Sequence, residues 1–272
     1  PQGACDAHVH LVADAHEFPL WKGRVENPAP GPDLEGWLAL YRAHLEALGF
    51  SRGLIVHSIL YGTDNSVTIE AVRRMGPGFR GVGLLPDGAP EKAIEKFARQ
   101  NMAAVRVNYV HGGVLSWDGA KAMAPALATR DLHIQMLAHA DQHIALLEDD
   151  IRALPVTVVF DHIGWPAEDF SPRSAGFKAL CRLLADGQVW VKLSGLYRMC
   201  NAPYDETNAL VSALIAANPE RCLWGSDWPH LMLADAKMPS AAKLLDAFDA
   251  VVPDDATRQR ILVDNPAQLL RF

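Results

Sequence analysis

Short apolar runs recur along the chain, and longer stretches with a mixed apolar and polar pattern separate them. Each run is almost continuously apolar and is rich in β-branched residues, which is typical of strands covered on both faces of a parallel sheet. The pattern predicts eight strands, within CDAHVHLV, GLIVHSIL, FRGVGLL, AAVRVNYV, LHIQMLA, VTVVFDHIG, VWVKLSG and RCLWGSDWP.

The stretches between these runs have the periodicity of amphipathic helices. In DLEGWLALYRAHLEALGF the apolar residues recur every three or four positions, so we expect a helix that begins after Asp33 and ends at Gly49. GTDNSVTIEAVRRMG starts on capping residues and predicts a second helix that stops at Gly76, and the segment that begins at SAAKLLDAF supplies the closing helices.

Eight strands that alternate with helices predict an α/β fold, a single (β/α)8 TIM barrel. We expect one domain over residues 1–272, because no linker or low-complexity tract interrupts the pattern. An open doubly wound sheet is the competing prediction. The long segment EFPLWKGRVENPAPGPD after the first strand is expected to serve the active face of the barrel.

Composition narrows the class of function. The net charge is −7 and no run of Lys or Arg occurs, which argues against nucleic acid as a partner but leaves an anionic small substrate open. No apolar stretch approaches the ~18 residues that span a bilayer. Four scattered cysteines predict no disulfide framework, and the missing secretory pattern leads us to expect a cytoplasmic location.

Two histidines in the first strand are the first sign of chemistry. Side chains alternate along a strand, so His8 and His10 should point the same way, roughly 6–7 Å apart. Buried polar groups need partners. The first and eighth strands become neighbours when a barrel closes, so we expect the two rings to meet Asp227 and His162 at its mouth.

Other polar residues have a simpler interpretation. His57, His133 and His44 are expected to be core histidines with satisfied hydrogen bonds, and Asp161 to orient a neighbouring peptide. Asp227 alone would read equally well as a helix cap. Its place opposite the histidine pair favours a chemical role.

Five motifs, DAHVH, GTDN, FDHIGWP, KLSGLYR and LWGSDWPH, occur in this order along the chain. Together they resemble the amidohydrolase superfamily, and within it the branch of 2-pyrone-4,6-dicarboxylate lactonase and the sugar-acid lactonases. The resemblance covers essentially the whole chain. It implies a barrel-shaped hydrolase that opens the ester bond of a small carboxylated lactone.

On this hypothesis Asp227 is the general base for a water molecule, and His8, His10 and His162 donate hydrogen bonds to the carbonyl oxygen. Arginines suit a substrate carboxylate because a guanidinium can bind it with two hydrogen bonds. The candidate substrate-binding residues are Arg106, Arg198, Tyr61, Asn108 and Trp165.

The chain also departs from the lactonase pattern. Trp165 stands where the pyrone lactonase has an arginine after DHIG, and a second arginine expected after the fourth strand is missing from VRVNYVHGG. A lactone with one carboxylate, or a sugar lactone, is therefore as suitable a substrate as the pyrone.

A metal ion is the main alternative, since His8, His10 and Asp227 could bind one zinc or manganese ion, with His139 or His162 as a further ligand. No Lys or Glu ends the fifth strand and Lys192 lies within the seventh, so we do not expect a two-metal centre. The lactonases that the sequence resembles work without metal, which favours no cofactor. A metal-dependent amidohydrolase or decarboxylase, a lactone isomerase and a non-catalytic binding barrel for sugar acids stay open, as does the oligomeric state.

Overall fold

Eight parallel strands form one sheet in which neighbours in the chain are neighbours in space. The computed structural model describes residues 1–24, 26–28 and 30–272. The sequential order confirms the (β/α)8 TIM barrel, and the open doubly wound alternative is wrong. The strands are β1 (Cys5–Val9), β2 (Arg52–Val56), β3 (Phe79–Gly83), β4 (Met102–Asn108), β5 (His133–Leu137), β6 (Val158–Phe160), β7 (Val189–Leu193) and β8 (Cys222–Trp224).

Ten α-helices cover the outside of the strands in the described part of the chain. They are α1 (Leu34–Leu48), α2 (Ser66–Met75), α3 (Glu91–Ala98), α4 (Trp117–Ala128), α5 (Ala145–Ala153), α6 (Ala175–Ala185), α7 (Asn208–Ala217), α8 (Ala241–Val251), α9 (Asp255–Gln259) and α10 (Asn265–Leu270).

The predicted bounds of the first helix are confirmed. The side chain of Asp33 accepts a hydrogen bond from Gly36 N at 2.9 Å and so caps α1. Gly49 ends the helix with a φ of 70°, a left-handed conformation that glycine adopts without steric cost. Gly76 likewise follows the last residue of α2.

The barrel closes where the beginning of the chain meets the segment after β8. Among the described residues, the contact is one parallel bridge between Val9 and Trp228. Two further backbone hydrogen bonds of 2.8 Å flank it, from Asp227 N to His8 O and from His10 N to Trp228 O. Closure therefore fixes the backbone of the candidate histidines against that of the candidate aspartate.

A buried carboxylate reinforces this seam. Asp6 Oδ1 accepts a hydrogen bond from Ser226 N at 2.9 Å, and Asp6 Oδ2 accepts one from Ser226 Oγ at 2.5 Å. The ring of His44 lies 3.1 Å from the same Oδ2, so this histidine has the structural surroundings expected of it. A side chain thus supplies hydrogen bonds that a longer β1–β8 ladder would otherwise make.

All four cysteines are free, as their spacing predicts. In the ranges that the structure describes, no helix has the length and apolar character needed to cross a bilayer.

Candidate active site

The two histidines of the first strand converge at the carboxyl end of the barrel. His8 is fully buried within β1, and His10 follows the strand directly. Both rings point the same way, as alternation predicts. Their Nε2 atoms are 3.3 Å apart, closer than the spacing expected along a strand, because the rings lean towards each other.

Asp227 lies against the same two rings. Its Oδ1 is 3.3 Å from His10 Nε2 and 3.5 Å from His8 Nε2, and its Oδ2 is 3.6 Å from His162 Nε2. Residues from β1, the segment after β6 and the segment after β8 therefore meet at one point. The structure brings together the four side chains for which we predict a catalytic role.

Two donors from the segment after β7 hold the carboxylate. Tyr197 OH and Arg198 Nε each donate a hydrogen bond of 2.8 Å to Asp227 Oδ2. Burial alone would raise the pKa of Asp227, but Arg198 and the surrounding imidazoles hold the pKa well below its usual range. Asp227 is thus an ionised carboxylate, fully buried, at neutral pH.

Arg198 has a second task in the structure. Its two terminal nitrogens donate to the carbonyl oxygens of Leu231 and Met232, at 2.8 and 3.1 Å. Each nitrogen of this guanidinium therefore already has an acceptor within the protein. Its predicted contact with substrate stays a prediction, and its observed contacts position Asp227 and the 231–232 backbone.

Residues of the segment after β7 hold the His162 ring in place. Its φ is 51°, and its Nδ1 lies 2.9 Å from Ser194 Oγ. Gly195 packs so closely that a Cβ at this position would lie 2.6 Å from the ring. Burial lowers the pKa of His162 to about 4, so the imidazole is neutral at pH 7.

A second polar network lies below the histidines inside the barrel, and the sequence pattern did not predict it as a unit. Lys192 Nζ on β7 donates to Gln135 Oε1 on β5 at 2.6 Å and lies 3.2 Å from His8 Nδ1. Asp161 Oδ2 accepts hydrogen bonds of 3.1 Å from Gln135 Nε2 and Arg106 Nη2. The signal in the sequence was a long polar side chain within each of two mostly apolar strands.

The charges of this lower network stabilise each other. Burial alone would raise the pKa of Asp161, yet His8, Lys192 and Arg106 hold the pKa well below its usual range. Burial lowers the pKa of Lys192 to about 8, so it is an ammonium group at pH 7. From the sequence we expect Asp161 only to orient a neighbouring peptide. In the structure it instead binds charged side chains.

A cavity opens above the Asp227 cluster. It contains about 420 Å³ of empty space, including solvent at its mouth. The Trp165 ring lies 5.5 to 6.0 Å from the rings of His111, His139 and His162 and forms one wall. The lining residues are His10, Ser58, Ile59, Arg106, Asn108, His111, Leu137, His162, Trp165, Arg198, Leu231 and Met232.

Most of the predicted substrate-binding residues line this cavity, and Tyr61 is placed differently. Its buried hydroxyl accepts a hydrogen bond from Ala13 N at 3.0 Å and so holds the segment after β1. Asn108 lines the cavity, while its Oδ1 accepts from the backbone of Val110 and His111. Substrate contact by these side chains stays a prediction.

The positions of the ligand atoms suit a divalent ion. The three distances among His8 Nε2, His10 Nε2 and Asp227 Oδ1 are 3.3, 3.3 and 3.5 Å. Ligand atoms around tetrahedral zinc are separated by roughly 3.3 Å. Atoms of His8, His162 and Asp227 also lie within 4.8 Å of one another. A possible metal site with two histidines and one aspartate is therefore present in the described residues.

The proton arrangement does not suit the same ion. A histidine that binds metal through Nε2 carries its proton on Nδ1 and donates it to an acceptor. His8 Nδ1 lies 3.2 Å from the Lys192 ammonium, which can only donate. Asp161 Oδ1 is also 3.2 Å away, but it makes no hydrogen bond of good geometry in the described residues. A donor at Nδ1 favours the opposite tautomer of His8, in which Nε2 carries the proton.

The barrel and this histidine and aspartate cluster define an amidohydrolase-type enzyme. Residues 5–272 match the amidohydrolase family model, and the chain belongs to this family.

Curated relatives and a solved structure agree with that assignment over nearly the full chain. A 4-sulfomuconolactone hydrolase of Rhizobium radiobacter is 34% identical, over 99% of this chain and 90% of its own. A 2-pyrone-4,6-dicarboxylate hydrolase of Comamonas testosteroni is 30% identical over the same shares. The structure of a putative 2-pyrone-4,6-dicarboxylic acid hydrolase from Pseudomonas putida is 27% identical and superposes with a TM-score of 0.82, covering 100% of this chain and 98% of its own.

Proposed function

We propose that this protein hydrolyses the ester bond of a small anionic lactone, with Asp227 as the general base. The observation that carries the proposal is a buried, ionised carboxylate in contact with three imidazoles beneath an open cavity. Relatives that act on lactones by name, at 30 and 34% identity, support the same substrate class.

The first step is attack by water. Asp227 Oδ1 has no hydrogen-bond partner of good geometry among the described residues, so it is free to accept a proton from a water molecule. The water oxygen bonds to the lactone carbonyl carbon, the proton passes to Asp227, and the carbonyl electron pair moves to its oxygen. The oxyanion then reforms the carbonyl, the ring C–O bond breaks, and the leaving oxygen takes the proton from Asp227.

The oxyanion needs a donor that lines the cavity, and two imidazoles do so. His10 Nδ1 donates to Val56 O at 2.8 Å, so the Nε2 of a neutral His10 is an acceptor. Ser194 Oγ lies beside His162 Nδ1 and can donate to it, which leaves a proton on Nε2 of that ring. We therefore assign the oxyanion contact to His162, rather than to all three histidines.

The balance of charge favours an anionic substrate. The ion pairs in and below the site link three cations, Arg106, Lys192 and Arg198, with two carboxylates, Asp161 and Asp227. All five side chains are at least nine-tenths buried. An uncompensated buried charge is costly, and one carboxylate or sulfonate on the substrate would balance it. We assign the binding of this anion to Arg106, because Arg106 lines the cavity.

A panel of lactones tests the proposal. Purified protein would be given a neutral lactone, a monocarboxylated lactone and 2-pyrone-4,6-dicarboxylate, with proton release and NMR of the products as readouts. We expect ring-opened acids, a preference for the anionic lactones, and equal rates with and without chelator. No opening of any anionic lactone would overturn the proposal, an isomeric lactone as product would replace hydrolysis by isomerisation, and dependence on a divalent ion would overturn the metal-free form.

A further inference from the structure

Lys192 contacts His8 from inside the barrel, below the cavity, and does not line the cavity. The side chain is fully buried, and its Nζ meets Gln135 Oε1 at 2.6 Å, His8 Nδ1 at 3.2 Å and Asp161 Oδ1 at 3.5 Å. The orientation of the Gln135 amide is fixed, because its nitrogen donates to Asp161 Oδ2. The amide oxygen therefore faces the lysine, which is the arrangement that an ammonium group requires.

The contact with His8 determines where that ring carries its proton. An ammonium group has three N–H donors and no lone pair, so His8 Nδ1 must be the acceptor. Asp161 Oδ1 also lies 3.2 Å from this nitrogen, but it has no hydrogen-bond partner of good geometry in the described residues. The proton of a neutral His8 is thus on Nε2.

A backbone carbonyl determines which nitrogen of the second ring, His10, carries the proton. His10 Nδ1 lies 2.8 Å from Val56 O, and a carbonyl oxygen only accepts, so the proton of His10 is on Nδ1. Its Nε2 lone pair faces His8 Nε2 at 3.3 Å. The hydrogen bonds therefore run in one direction, from Lys192 to His8, from His8 to His10, and from His10 to Val56.

We propose that Lys192 is a positioning residue that holds His8 as its Nε2–H form and thereby keeps a divalent ion out of the triangle of His8, His10 and Asp227. An ion would need lone pairs on both Nε2 atoms. His10 offers one, whereas His8 directs a proton into the same space. The consequence for catalysis rests on the proposed lactone hydrolysis; the tautomer and the metal affinity do not.

The tautomer can be measured directly on the unaltered protein. Long-range ¹H–¹⁵N spectra of the histidine rings distinguish protonated from unprotonated nitrogens, and the spectrum of His8→Gln identifies the signals of His8. We expect a protonated Nε2 and an unprotonated Nδ1 for His8, and the reverse for His10. An unprotonated Nε2 on His8 would overturn the proposal, whatever the protein does with lactones.

Zinc titration tests the second half. With Lys192→Met, Asp161 Oδ1 becomes the free acceptor beside His8 Nδ1, the proton moves there, and Nε2 gains its lone pair. We expect zinc to bind Lys192→Met at least about tenfold more tightly than the wild type, the usual scale of outer contacts to a metal ligand. Lys243→Met, at an exposed lysine, is the matched control and should bind as the wild type does.

Equal zinc affinities for wild type and Lys192→Met, or one zinc per chain in purified wild type, would overturn the proposal. If the variant does not fold by circular dichroism, the wild-type spectra and metal content still decide. With a lactone that is turned over, we expect Lys192→Met to lower kcat and leave KM unchanged, because Lys192 does not reach the substrate. An increase in KM with kcat unchanged would contradict a positioning role.

Discussion

His8 on β1 and His57 directly after the adjacent β2 are equally buried, but their surroundings differ. His57 follows β2, and its two ring nitrogens lie 3.0 Å from Thr68 Oγ1 and 2.8 Å from Gly62 O, both uncharged groups. His8 faces Lys192 on one side and Asp227 on the other. Burial of the imidazole therefore does not distinguish these two histidines, whereas contact with ionised groups does.

The largest effect should come from removing the charge of Asp227, the carboxylate that faces His8. We expect Asp227→Asn to lower kcat for lactone hydrolysis by ~10²–10⁴-fold, the usual contribution of a positioned general base. Asp249→Asn, at a solvent-exposed ion pair on α8, is the matched control and should keep its activity. Turnover by Asp227→Asn at the wild-type rate would refute Asp227 as the base.

Replacing one histidine of the Asp227 cluster and one buried histidine outside it sharpens the comparison. His162→Gln removes the proposed oxyanion donor, and we expect kcat to fall by ~10²–10³-fold. His57→Gln leaves the cavity lining intact, so kcat should stay close to that of the wild type while the midpoint of thermal unfolding falls. Similar losses of kcat in both variants would show that the two environments do not differ in function.

The histidines outside the site should limit stability in acid. Burial lowers the pKa of His57 to about 4 and that of His133 to about 3, against 6.5 when unfolded. Below pH 6.5 the unfolded chain therefore binds more protons than the folded chain. The contribution of these two histidines to the free energy of unfolding is at its full value above pH 6.5 and decreases as the pH falls towards 4. Urea unfolding across this range measures the slope, and His133→Gln should flatten it. A slope that this variant does not change would contradict the assignment.

The smallest effect should come from the partner of His57. Thr68→Val leaves His57 Nδ1 without its hydroxyl partner, and we expect the free energy of unfolding to fall by ~1–3 kcal/mol. Lactone turnover should not change. Thr129→Val, at an exposed position after α4, provides the control for the substitution itself. A loss of activity in Thr68→Val would mean that His57 belongs to the active site.

Much of the architecture could be predicted from local patterns. The apolar runs located all eight strands, and Asp33 and Gly49 located the ends of α1, because strand burial, capping and left-handed glycine act over a few residues. The closeness of His8, His10 and Asp227 also followed, since a closed barrel must place the first and last strands side by side.

The lower half of the network could not be predicted in this way. Lys192 and Gln135 are polar residues in mostly apolar strands, and their contact depends on strand register and on the depth at which each side chain enters the barrel. The contacts of Arg198 within the protein could not be predicted either. Its three nitrogens donate to Asp227 and to two carbonyl oxygens, and these partners come from the segment after β8.

By itself, then, the sequence determined the strand order, both ends of α1 and the set of groups available for chemistry, because these follow from side-chain type and spacing along the chain. Only the tertiary structure decided which of those groups meet and where His8 carries its proton. Hydrogen-bond direction depends on distances of a few tenths of an ångström between residues such as His8 and Lys192, which are far apart in the chain. Spacing along the chain holds no record of such distances.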